Sequence, residues 1–155
     1  MVPRILSVCG LALALCGCGS EAPKPAPVKQ AEAAPPTDDT RYLPKSGFVD
    51  SKVVAKELMS QPFMPGGTIG HYKLGAMEYD IFLAHGTTPV DVATKLIDWK
   101  KAMQEPKFLP SFGAYYGTID KRPYFVFTKG AWIIGIVGLS EKEADGPARD
   151  VAARL

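Results

Sequence analysis

Cysteine is scarce in this 155-residue chain, and all three copies, Cys9, Cys16 and Cys18, fall in its first eighteen positions. No cysteine follows, so the folded part is expected to hold neither a disulfide nor a thiol nucleophile. Histidine is scarcer still, with only His71 and His85. A zinc or iron centre needs three or four converging ligands. These two histidines have no metal-ligand spacing, and Glu78 and Asp80 are the only acids considered beside them. No metal and no cofactor is implied, and both histidines read as strand-edge residues. A surplus of charge is also missing: 18 Lys and Arg stand against 16 Asp and Glu, for a net charge of +2. A nucleic-acid binder needs a basic stripe or patch. The most basic stretch here, "DWKKAMQEPK", interleaves its lysines with acids, so nucleic acid is not an expected partner.

Signatures of catalysis are lacking too. There is no G-x-S-x-G elbow. Ser111 lies in "LPSFG" with no base assigned to it. "MPGGTIG" has glycines but no Lys-Ser/Thr and no following helix, so it reads as a turn rather than a phosphate loop. Glu78 and Asp80, two apart on one strand face, read as its solvent side rather than as an acid–base pair. Nothing in the sequence assigns a catalytic residue.

The first segment is more telling. "MVPRILSVCGLALALCGCGS" carries one early positive charge, Arg4, and then an apolar run over 5–15. About eleven residues is too short for a hydrocarbon core that takes about 20. It fits the apolar centre of a secretory signal peptide. A Cys16–Cys18 disulfide would close a very tight, strained ring. A metal clip would need further soft ligands, and none follow. Leu15-Cys16-Gly17-Cys18 resembles a bacterial lipobox, with Leu three residues before the cysteine and a small residue just before it. Cys16 stands where Ala, Ser or Thr is commoner. Cys16 itself is the poorer lipidation site, because Leu15 immediately precedes it. The resemblance implies a signal peptide over 1–17 and a diacylglycerol thioether on Cys18. It also implies cleavage on that residue's amino side and N-acylation, with fatty chains such as palmitate. Two membrane signals give stable anchoring where one acyl chain gives only marginal binding. The implied partner is thus a lipid bilayer, reached through acylated Cys18. Gly19 occupies the place where Asp commonly marks inner-membrane retention. The chain is similar in this to lipoproteins sent to the outer membrane, with their domain in the periplasm.

Residues 18–47 read as a proline-rich tether, with Pro23, Pro25, Pro27, Pro35, Pro36 and Pro44 and no apolar periodicity. Such segments act as semi-rigid spacers of about 3.1 Å per residue. Aromatics first appear in "RYLPKSGF", which puts the start of order near Tyr42.

Residues 48–155 read as one α+β domain, in the order α-β-β-α-β-β-β-α. It would be an antiparallel sheet of about five strands with helices mainly on one face. The spacing of Val54 and Leu58 predicts a helix over 51–61, and "MPGGT" a turn. Strands follow at 69–74 and from Met77 onward, where apolar and polar residues alternate. Thr88, Pro89 and Asp91 mark the start of a helix that Pro106 ends. Strands are expected in "AYYGTID", "YFVFT" and "WIIGIVGL". The last is apolar on both faces and so calls for cover on both sides or a central place. Ser140 and Glu143 have capping-box spacing, and Gly146-Pro147 should split the final helix, leaving a second piece over 147–154.

Phe112, Tyr115, Tyr116, Tyr124, Phe125 and Phe127 cluster in the late strands. With His71 they form the candidate binding surface, suited to an envelope protein partner. An alternative is a small apolar ligand, less readily a hydrolase substrate, held between the sheet and the 88–104 helix. The overall expectation is a membrane-anchored, non-enzymatic binding or adaptor module.

Overall fold

β7 (Trp132–Val137), the strand with no polar side chain, lies in the middle of the sheet with a helix over each face. The computed structural model describes residues 36–155. The expected signal peptide over 1–17, Cys18 and most of the proline-rich segment lie outside the described residues. The other strands are β1 (Phe48–Lys56), β2 (Pro65–Leu74), β3 (Met77–His85), β4 (Gln104–Leu109), β5 (Ala114–Ile119) and β6 (Arg122–Lys129). They pair antiparallel in the order β1-β2-β3-β7-β6-β5-β4. Helix α1 (Pro89–Ala102) follows β3, and α2 (Glu141–Arg154) follows β7. No helix among the described residues is long and apolar enough to cross a membrane.

Alternation along each central strand sends side chains into two cores. On one face Tyr79, Ile81, Phe125, Phe127, Ile134 and Ile136 meet Ala144, Ala148 and Val151 of α2. On the other, Phe82, Tyr124, Val126, Ile133 and Val137 meet Val92, Leu96 and Trp99 of α1 and Met103 just after it. The helices therefore sit on opposite faces, not mainly on one. Seven strands, not about five, build the sheet.

Four local expectations are corrected. The 51–61 segment is strand β1 followed by a 3-10 turn at Leu58–Ser60. β1 lies at the sheet edge and is exposed along most of its length, so it shows no burial period. The double glycine of "MPGGT" is not a turn but the start of β2. A Cβ on Gly66 would meet the Ala55 carbonyl oxygen at 2.3 Å, and one on Gly67 the Leu83 oxygen at 2.2 Å. Pro106 does not end the helix: α1 stops at Ala102, and Pro106 lies inside an additional edge strand, β4, at an irregularity between Gln104 and Lys107. Pro is tolerated at such places because no ladder donor is needed there. Finally, α2 continues through Pro147. Ala144, Ala148 and Val151 are fully buried on either side of it, so packing holds the helix together past one missing backbone bond.

The Thr88 cap forms as the residues indicate, its hydroxyl accepting from the Asp91 N–H at 3.1 Å. At Ser140 the Glu143 carboxylate accepts from the Ser140 N–H at 3.0 Å. Packing also begins upstream of Tyr42. The Asp39 N–H donates to Thr68 Oγ1 at 3.0 Å, and the Tyr72 hydroxyl donates to the Pro44 carbonyl at 2.9 Å. Leu43 is buried in the α2-side core.

A polar basin beside α1

The β2–β3 hairpin turns at Gly75, whose φ of +62° suits glycine. With Leu74 facing Met77, the register places His71 directly opposite Asp80. β1 brings Asp50 to the other side of His71. On the far side, Asp120 and Lys121 both take positive φ, of 49° and 65°, in a two-residue hairpin turn. That turn sets Arg122 at the start of β6, facing Asp80. Asp80 is therefore held from two sides. Its Oδ1 lies 2.8 Å from His71 Nδ1, and its Oδ2 accepts from Arg122 Nη2 at 3.0 Å. His71 Nε2 lies 3.3 Å from Glu78 Oε1.

Asp50, His71, Asp80, Asp120 and Arg122 line a basin of about 700 Å³ on the α1 face of the sheet. Ile69 and Tyr124 supply its apolar part. Its rim includes Glu57, Met59 and Ser60, three non-glycine residues at φ of 55°, 57° and 60°. Left-handed backbone costs such residues about 1–2 kcal/mol each, and here the surroundings enforce it. Leu58 is fully buried in the α1-side core, and the Glu57 N–H donates to the Met64 carbonyl at 3.1 Å. The rim is thus pinned to the fold.

The hydrogen bond to Asp80 raises the His71 pKa, opposed by partial burial and helped by the charges of Asp80, Glu78 and Asp50. A carboxylate at each ring nitrogen stabilises the charged imidazolium relative to the neutral ring. Burial raises the Tyr124 phenol. The basin thus offers fixed donors and acceptors of both signs around a small apolar floor, which suits selective binding.

The sheet divides the predicted aromatic surface. Phe112, Tyr116, Phe125 and Phe127 gather on the α2 face, with the Phe112 ring 5.4 Å from Phe125 and 5.2 Å from Phe127. Phe125 and Phe127 are 2% exposed and serve the core. Phe112, Tyr116 and Phe125 line a second cleft of about 730 Å³ beside the start of α2. Tyr115 and Tyr124 lie on the α1 face instead, and Tyr124 shares the basin with His71. The expected opening between the sheet and the 88–104 helix is filled. Trp99 is fully buried there, with Phe82 at 5.3 Å, Tyr124 at 5.4 Å and Phe63 at 5.5 Å, and its indole N–H donates to Met64 Sδ at 3.2 Å.

Arg122 is among the basin residues that sequence reasoning missed. It reaches Asp80 only because β6 and β3 both flank β7, an order that no local pattern encodes. The His71–Asp80 pairing was readable from the hairpin alone. Comparison with protein families, curated proteins and solved structures finds no match to this chain.

Proposed function

We propose that this chain is a bacterial envelope lipoprotein, anchored through acylated Cys18, whose folded domain is a non-enzymatic binding or adaptor module. The reading places it on the outer membrane, displayed into the periplasm on the proline-rich tether. The lipobox-like Leu15-Cys16-Gly17-Cys18 supports the anchor. For the domain, the observation that carries the reading is the basin. His71, Asp80 and Arg122 hold one another in place at a concave surface whose rim is rigid. Such a surface meets a polar partner without first being ordered, which lowers the entropic cost of binding. The Phe112–Tyr116 cleft favours a second docking position on the opposite face.

Two experiments test this. Cys18→Ala should move the protein from the membrane fraction to the soluble periplasm; unchanged fractionation refutes the anchor. A photoreactive residue at Gln61, on the basin rim, should crosslink to one specific envelope component in intact cells. The same adduct from the remote exposed position Val90 would remove the basin from the proposal. Crosslinking from Tyr116 alone would assign docking to the aromatic cleft.

A further inference from the structure

The two edges of the sheet are unlike. β4 is closed to further pairing by Pro106, by an irregularity between Gln104 and Lys107, and by Glu105 at a φ of 49°. β1 is open. From Asp50 to Val54 it pairs in continuous register with β2, Lys56 pairs again with Pro65, and the run contains no proline. The Glu57 N–H donates toward β2, to the Met64 carbonyl. Antiparallel ladders alternate in direction. Asp50, Lys52 and Lys56 therefore turn their backbone N–H and C=O groups to the free side, as does the Val54 N–H, whereas the Val54 carbonyl oxygen lies toward β2, where a Cβ on Gly66 would meet it at 2.4 Å. Val53 is 45% exposed. Among the described residues, Asp50 and Lys56 make no ion pair.

We propose that β1 pairs antiparallel with β1 of a second copy of this chain, about a two-fold axis at Val53. The run is complementary to itself in that register. Asp50 faces Lys56 of the second copy at each end, and Lys52 faces Val54. The Asp50–Lys56 pairs have both backbone groups outward and exchange hydrogen bonds in both directions, and in each Lys52–Val54 pair the Val54 N–H donates to the Lys52 carbonyl. The two Val53 side chains meet at the axis as a non-hydrogen-bonded pair, the closer of the two antiparallel geometries. Opposite charges at both ends and an exposed β-branched residue at the centre favour this register over its neighbours. A register shifted by two residues sets Lys52 against Lys52. The axis is perpendicular to the sheet and preserves its faces. The two basins then adjoin on one surface, where Asp50 and Lys52 line each of them. Lys56 of the second copy thereby supplies a cation beside Asp50. The pairing rests neither on acylation of Cys18 nor on what the basin binds.

Cysteine trapping tests it, because no cysteine follows Cys18. Val53→Cys in the full chain should give a disulfide-linked dimer above the parent background, whereas Ser51→Cys, which faces Ala55, should not. Adding Asp50→Lys to Val53→Cys sets like charges together at both ends and should lower the dimer fraction about tenfold. Adding Lys56→Asp as well should restore it. A monomeric Val53→Cys chain, equal trapping at Ser51→Cys, or no recovery on the double charge exchange would overturn the proposal.

Discussion

Asp80→Asn changes little in shape and removes the charge that holds the basin together. The loss is worked from two contacts: the 2.8 Å approach to His71 Nδ1 and the 3.0 Å bond from Arg122. Hydrogen bonds to charged groups are worth about 1.5–3 kcal/mol when shielded. Exposed ion pairs are worth about 0.2–1 kcal/mol. The Asp80 side chain is 18% exposed, but those of His71 and Arg122 are 34% and 53% exposed. The discounted sum is about 1–2 kcal/mol. With a urea m-value of about 1–3 kcal/mol/M for a small domain, the unfolding midpoint should fall by about 0.3–2 M. The effect also has a pH signature. His71 has its pKa raised by Asp80 in the folded state. Its contribution is complete below the unfolded value of about 6.5 and is lost as pH rises through the folded value. The gap between parent and variant should therefore be widest below about pH 6.5 and narrow above it, leaving the pH-independent share of Arg122. Urea titrations at pH 6 and pH 8.5 measure both. Coincident midpoints, or a gap that widens with rising pH, would refute the assigned network.

Trp99→Ala should cost about 3–5 kcal/mol, because the indole is fully buried among Phe63, Phe82 and Tyr124. Thermal or urea unfolding checks this, and a loss under 1 kcal/mol would show that the sheet–α1 interface is not filled as described. Leu43→Ala should cost about 2–4 kcal/mol, since Leu43 is 3% exposed and lies against Gly70. It should also open the chain to trypsin at Arg41 under native conditions; unchanged stability and protection would mean that the segment before β1 is not part of the fold.

The readable parts of the fold were those whose burial has a period. β7 has helices on both faces, so its unbroken apolar run pointed to a central strand. α1 joins a Thr-Pro start to one apolar stripe, and local capping and tertiary burial agree there. β1 was illegible because neither face of an edge strand is well covered. Asp50, Ser51, Val54 and Leu58 then imitate a capped helix, while the adjacent β-branched Val53 and Val54 carry the truer signal. β4 was hidden by Pro106, which is tolerated only because the strand is an edge with an irregular register. In the basin, His71 and Asp80 follow from counting back from a hairpin turn. Arg122 and the pinned 57–60 rim depend on sheet order and on Leu58 packing far from its sequence neighbours. The split of the aromatics between faces follows from strand parity, which their clustering in sequence conceals.

Attachment at Cys18 is tested most directly by the intact mass of the mature protein taken from the cell envelope. The expected chain begins at Cys18 and is heavier than residues 18–155 by a diacylglyceryl group and an N-linked acyl chain. An unmodified cysteine at that position, or a mature chain beginning elsewhere, would contradict a membrane-tethered domain.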